Sequence, residues 1–236
     1  MIKKIYNGLV AASTPILDFV LPPICLNCEE PVKKDEKYLC GKCANSIIKI
    51  DNKTNIILNH INSGGLISKA FSYYLFRIDT PIQILIHYLK YGQMRNIGKY
   101  YGFSFGSNVL VEENLKADYV IPVPLHISKK RERGYNQSEY ISEGIGRALK
   151  IKTLPKCLRR KKFTQTQTKL TREERIKNVH DAFEIRKKYR EIIREKNILL
   201  VDDVITTGST ISECARVLKN AECRKIYVCS LGFAEM

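Results

Sequence analysis

Asp202 and Asp203 follow four apolar residues, Ile198-Leu-Leu-Val201, and are themselves followed by Val204 and then by Thr206, Thr207, Gly208, Ser209 and Thr210. The apolar run predicts a buried strand ending in the two aspartates, then a short loop, then a helix start. A helix start offers unpaired N–H groups and the positive end of its dipole, and Gly208 lets backbone come close to an anion. Hydroxyls of Thr206, Thr207, Ser209 and Thr210 add donors for a monophosphate. The carboxylates would repel that phosphate. They suit vicinal sugar hydroxyls, or a Mg²⁺ ion carried with the ligand. Together these residues describe a ribose-phosphate binder; the competing reading is an acidic strand end followed by an ordinary Ser/Thr helix cap. No G-x-x-x-x-G-K-[ST] occurs, which excludes a P-loop, and Gly144-Ile-Gly146 lies within a helical pattern instead of a dinucleotide fingerprint.

A second constellation is metal-like. Cys25-Leu-Asn-Cys28 and Cys40-Gly-Lys-Cys43 are two C-x-x-C pairs separated by eleven residues. Thiolates at that spacing reach one tetrahedral ion, and the intervening chain is long enough for a hairpin to bring the pairs together. A redox C-x-x-C heads a helix in a βαβ unit, a pattern that residues 20–45 lack. Structural zinc is the reading, with Cys25, Cys28, Cys40 and Cys43 as ligands and no open coordination position. Cys157, Cys214, Cys223 and Cys229 show no pairing, and Cys214 and Cys229 fall on expected core faces.

The elements that must position these groups follow from periodicity. Ile67–Phe76, Ala117–Pro122, Ala182–Ile185, Asn197–Asp202 and Ile226–Leu231 read as strands, and Pro81–Tyr91, Ser128–Leu149 and Thr210–Asn220 as helices. Strand and helix alternate after Ala117, which predicts a largely parallel sheet with helices on both faces. His87 sits in an apolar helical pattern and reads as core. Asp51–Gly65 reads as linker, giving a boundary between a 1–50 module and a 51–236 domain. The opening residues recur at helical spacing (Ile2, Ile5, Leu9, Ala12, Ile16, Phe19) and predict an amphipathic helix in preference to a signal peptide. No apolar run reaches the ~18 residues of a membrane span, and the cysteine usage points to the cytoplasm.

The chain of 236 residues has 44 % hydrophobic and 27 % charged residues, enough for a core and too apolar for disorder. Its formal net charge of +16 implies anionic partners. Residues 150–178 hold eleven Lys or Arg against two Glu and read as a solvent-facing loop.

The segment from Leu199 to Thr210 resembles the phosphoribosyl-pyrophosphate (PRPP) loop of type I phosphoribosyltransferases. With Leu89-Lys-Tyr-Gly92, Asp118 to His126, Arg131-Glu-Arg-Gly-Tyr-Asn-Gln137, Thr166-Gln167, Arg175, Asn178, Ala182-Phe183 and the Cys module, nearly the whole chain resembles the competence-associated ComF family. The resemblance implies an α/β type I phosphoribosyltransferase fold behind a zinc ribbon, with the PRPP loop at 199–211. It implies that Asp202 and Asp203 hold the ribose hydroxyls as the catalytic carboxylates and that Val204 and Thr206–Thr210 cradle the 5-phosphate. Pro122, Val123, Pro124 and Leu125 would receive pyrophosphate, and Arg159, Arg160, Lys161 and Lys162 would belong to a flexible catalytic loop. Cations there would stabilise the departing pyrophosphate, and loop closure would exclude water.

Two classes of function remain open. In the first, the resemblance implies cytoplasmic handling of incoming single-stranded DNA during natural transformation, with a DNA-uptake helicase or another competence protein as partner. Tyr135 and Tyr140, interleaved with the basic Lys129–Arg133 region, suit stacking on single strands. In the second, the protein is a metabolic Mg²⁺-dependent phosphoribosyltransferase. No residues form a recognisable hood for a base. His126, the nearest candidate for a general base toward an acceptor, reads as structural.

Overall fold

The computed structural model describes residues 23–61, 64–161 and 181–234, which fall in two compact units, Met1–Ile47 and Ile48–Met236. The expected N-terminal helix, Lys162, Thr166-Gln167, Arg175 and Asn178 lie outside the described residues.

In the first unit the chain reverses through positive-φ turns at Glu29 and Tyr38. The amide of Leu26 donates to the Tyr38 carbonyl at 2.8 Å, closing the excursion between the two Cys pairs. The Glu36 carboxylate then accepts from the amides of Lys33 and Gly41, at 2.8 and 2.7 Å. A Cβ on Gly41 would sit 2.9 Å from that carboxylate, so glycine there leaves the oxygen room to cap helix α1, Gly41–Asn45.

The second unit begins with helix α2 (Ile56–Ile61), then strand β1 (Lys69–Leu75) and helices α3 (Pro81–Tyr91) and α4 (Arg95–Phe105). Strand β2 (Tyr119–Pro122), helices α5 (Ile127–Arg133) and α6 (Gln137–Leu149), and the short strands β3 (Lys152–Thr153), β4 (Leu158–Arg160) and β5 (Phe183–Ile185) follow. Helix α7 (Arg190–Ile193), strand β6 (Asn197–Ile205), helix α8 (Ser209–Lys219) and strand β7 (Lys225–Phe233) complete it. Five strands form one sheet in the order β1-β7-β6-β2-β3, and every pairing in it is parallel. Alternation along the strands divides the core. Ile198, Leu200, Ile226 and Val228 pack with Ile211, Cys214, Ala215 and Leu218 of α8. Leu199, Val201 and Cys229 are buried on the opposite face, the side that α4 and α6 cover. This is the expected α/β architecture.

Five expectations are corrected. Asp51–Gly65 is not a linker throughout, because it holds a 3₁₀ turn at Asn52–Thr54 and α2. The single helix expected over Ser128–Leu149 is two: Gly134, at φ +77°, ends α5, and the Asn136 side chain accepts the Ser138 amide to start α6. β5 is not in the parallel sheet, since its backbone pairs antiparallel with β4 in a separate ribbon. His87 is exposed on α3. Finally, β6 runs on to Ile205 instead of ending at the aspartates, because β7 pairs beside it as far as Ile205 with Phe233.

Candidate functional site

Asp202 and Asp203 lie near the carboxyl end of central strand β6, where parallel α/β sheets place ligands. Successive strand residues face opposite ways, and the two carboxylates find different neighbours. Asp203 pairs with Lys90, on the last turn of α3, at 3.1 Å and accepts its neighbour Val204's amide at 2.7 Å. Asp202 accepts from the Ser138 hydroxyl at 3.1 Å and from the Asp203 amide at 2.9 Å. Burial, and then the charge of Asp203, pushes the Asp202 carboxyl up to about 7. At neutral pH the pair therefore carries less than two full negative charges.

Cations surround it. Burial, then the charges of Arg133, Arg160 and Lys90, hold the Lys129 ammonium below its ordinary range. Burial also lowers Arg160, opposed by Cys214 and Asp202. Lys90, paired with Asp203, and Arg160, which interacts with Asp202, are thus the cations tied to the carboxylates, and Lys129 interacts with both of those cations and with Arg133. Such a site recruits an anion that also carries hydroxyls.

The loop after β6 has the expected shape. Gly208 adopts φ +73° immediately before α8, and the Thr207 and Ser209 hydroxyls lie 3.0 Å apart at the helix start. Thr207 is buried, while Thr206 is exposed. The Pro122–Leu125 turn continues from β2 beside it. Its backbone is sparing with donors: Pro122 and Pro124 have no N–H, and the Val123 amide donates to the Val201 carbonyl at 2.8 Å. The Val123 carbonyl in turn accepts from Asn136 at 2.9 Å. Helix α5 follows the turn and carries Lys129 and Arg133, the latter over the Tyr91 ring, while Lys130 pairs with Glu139 at 2.8 Å.

Of the expected flexible loop, Arg159, Arg160 and Lys161 are described. Arg159 and Arg160 stand on β4; Arg159 pairs with Glu184, and the Arg160 guanidinium lies 5.2 Å over the Phe183 ring. Lys161 is tied to the same ribbon, its amide 2.7 Å from the Ala182 carbonyl and its ammonium 2.9 Å from Glu184. His126 caps α5 by accepting the Ser128 amide. Tyr135 is 3 % exposed and its hydroxyl donates to the Leu89 carbonyl, so it is not the stacking platform expected of it. Sequence reasoning gave no role to Lys90 or to His60, whose ring reaches the Thr206 carbonyl at 2.6 Å. Contacts across such separations leave no periodic signal.

In the first unit the four sulfurs of Cys25, Cys28, Cys40 and Cys43 all lie within 4.8 Å of one another. Cys28 and Cys40 sulfurs are 3.6 Å apart, close to the ~3.8 Å edge of a tetrahedron with Zn–S bonds of about 2.3 Å. Against the cost of burial, the backbone around Cys28, Cys40 and Asn27 holds Cys25 down to about 6, whereas burial and the neighbouring thiols push Cys43 up to about 12. A dication relieves that crowding and lets all four ionise. Asn27 Nδ2 donates to the Cys43 sulfur at 3.3 Å and steadies one ligand. The cluster is a structural zinc site.

Comparison with known proteins agrees with both units. The phosphoribosyl transferase domain family matches residues 121–233, and the double zinc ribbon domain family matches 16–54. Competence protein F of Haemophilus influenzae is 37 % identical over 115 residues, 49 % of this chain, which spans half of that relative's length. DNA utilization protein YhgH of Escherichia coli is 31 % identical over 210 residues, 83 % of each chain. Competence protein ComFC of Bacillus subtilis is 24 % identical over 205 residues, 85 % of this chain and 80 % of that one. Among the described residues no helix is long and apolar enough to cross a membrane.

Proposed function

The chain belongs to the ComF family, and we propose that it binds PRPP, or a closely related ribose phosphate with Mg²⁺, and uses that site while handling single-stranded DNA in the cytoplasm. The observation that carries the first half is the sequence of Asp202 and Asp203 at the end of β6 and the Thr206–Thr210 loop before α8, with Lys90 paired to Asp203 and Arg160 interacting with Asp202. Asp202 and Asp203 accept from the ribose hydroxyls, and the loop and the start of α8 receive the 5-phosphate. The Pro122–Leu125 turn and, on the helix after it, Lys129 and Arg133 serve the pyrophosphate. Mg²⁺ on the pyrophosphate suits a carboxyl pair whose mutual repulsion a dication would ease.

The second half rests on a row of cation-capped rings. Arg133 lies 4.9 Å over Tyr91, Arg95 lies 5.8 Å over Tyr140, and Arg147 lies 5.3 Å over Phe103. Tyr91 and Phe103 are 55 % and 41 % exposed. Helices α4 and α6 run side by side in the same direction, as shown by Gly98 against Tyr140 and Gly106 against Ala148. Two of the pairs, Arg95 with Tyr140 and Arg147 with Phe103, therefore follow one another along these two helices, while Arg133 and Tyr91 stand at the ends of α5 and α3. Cations alternating with rings suit a polyanion with stackable bases.

Calorimetry with PRPP and Mg²⁺ tests the first half: binding is expected, and Asp203→Asn is expected to abolish it. Absence of binding by the native chain overturns the reading. For the second half, oligonucleotide affinity is expected to fall steeply with salt, and Tyr91→Ala with Phe103→Ala to weaken it about tenfold or more. Salt-independent, weak binding overturns it. Acceptor-dependent release of pyrophosphate without any DNA affinity would favour the metabolic enzyme.

A further inference from the structure

Helix α2 lies against the phosphate loop and touches it twice. A Cβ on Gly208 would sit 3.1 Å from both Cα and Cγ1 of Ile61, so the loop and the helix approach as closely as a glycine permits. One residue earlier, His60 Nε2 meets the Thr206 carbonyl oxygen at 2.6 Å. A carbonyl only accepts, so the imidazole donates through Nε2. The same ring stands edge-on to Phe233, with centroids 5.0 Å apart and planes at 85°. Phe233 is buried at the end of β7, in register with Ile205. The imidazole is thus braced by one central strand while it holds the chain leaving the other.

The consequence follows from peptide geometry. In a trans peptide the carbonyl of Thr206 and the amide of Thr207 point in opposite directions. With the carbonyl drawn to α2, the Thr207 N–H is aimed away from α2. Rotated by half a turn, the same peptide would present an oxygen to an incoming phosphate and repel it. We infer that His60 is a positioning residue, which fixes the Thr206–Thr207 peptide so that the loop presents an N–H donor to the ligand's 5-phosphate. This rests on the ribose-phosphate reading above and adds a residue from outside the loop to it. His60 touches no part of the ligand, and its influence is confined to the phosphate end of the site; the pyrophosphate end, served by Lys129 and Arg133, lies on another segment.

The test uses the full chain and three ligands by calorimetry with Mg²⁺: ribose 5-phosphate, PRPP and inorganic pyrophosphate. His60→Phe keeps a ring against Phe233 and removes the donor; His60→Gln keeps a donor at a similar reach. His60→Phe is expected to weaken ribose 5-phosphate and PRPP by the same factor, about five- to tenfold for one hydrogen bond. Pyrophosphate affinity is expected to stay within about twofold, and His60→Gln to recover most of the loss. Unchanged ribose 5-phosphate affinity in His60→Phe overturns the inference, as does equal weakening of pyrophosphate, which would mean general damage. Native protein that binds neither sugar phosphate overturns the ribose-phosphate reading itself, and the inference with it.

Discussion

Asp202 is held in a form that folding alone would not choose. Burial and the neighbouring Asp203 charge raise its carboxyl to about 7, while Ser138 and the Asp203 amide donate to it and oppose the rise. The unfolded carboxyl titrates near 3.8. A raised folded value means that stability from this residue is complete below about pH 4 and is lost as pH climbs through about 7. Asp202→Asn removes the ionisation, so it is expected to raise the thermal midpoint at pH 8 by a few degrees and to change it less at pH 5. The same variant is expected to lose ligand affinity, the usual exchange at a binding site strained by like charges. Ser138→Ala acts in the opposite sense on the carboxylate. With one donor gone, the ionised form is disfavoured further, and the rise of PRPP affinity with pH should move to higher pH. Calorimetric titrations between pH 6 and 8.5 check this, and an unmoved profile would remove Asp202 from the titrating role.

Among elements, the packing of α4 on α6 is the tightest demand in the described fold. A Cβ on Gly102 would lie 2.4 Å from the Ile141 carbonyl oxygen, and one on Gly144 would lie 2.3 Å from that of Lys99. Both obstacles are backbone and cannot swing aside. Gly102→Ala and Gly144→Ala are each expected to cost about 2–3 kcal/mol in denaturant unfolding. Gly134→Ala meets no neighbour and carries only the strain of φ +77°, about 1 kcal/mol. Equal effects at the three positions would discredit the packing argument. These glycines also explain what sequence left hidden. Gly98 and Gly102 lower helix propensity in α4, and no helix was expected over Arg95–Phe105, although it is their absent side chains that let the helices meet. Strands β6 and β2, by contrast, announced themselves through short apolar runs, and β1 and β7 through apolar and aromatic residues interrupted by Ser72 and Ser230. So did the aspartates and the Thr/Ser loop, because they are contiguous. Lys90 and His60 were not assigned roles, since a partner 146 residues away, as Thr206 is for His60, has no local signature. β4 and β5 looked like sheet strands, and only their antiparallel partnership sets them apart.

At the scale of the whole molecule, two units of unequal means share one chain. Ile48–Met236 buries a continuous core on both faces of its sheet. In the described part of Met1–Ile47 the buried apolar residues are Cys25, Leu39, Cys43 and Ile47, two of which are metal ligands. A core of four apolar side chains is too small to hold a unit of this size by burial alone, and domains this short lean on a metal or disulfide in its place. The metal is therefore its fold, and apparent zinc affinity is folding free energy there. In Cys28→Ser with Cys40→Ser the remaining thiols fill half a tetrahedron. Bound zinc, measured by atomic absorption, is expected to drop from one per chain to none. Hydrogen exchange across residues 23–47 should rise to that of an unfolded segment, whereas amides of β6 and β7 should keep their protection. PRPP affinity should remain within about twofold of native, since the described partners of Asp202 and Asp203 (Lys90, Ser138 and Val204) belong to Ile48–Met236, and RT ln 2 is only about 0.4 kcal/mol. If β6 lost protection together with the cysteines, the metal would be supporting both units, and the second core would be less self-sufficient than its burial implies.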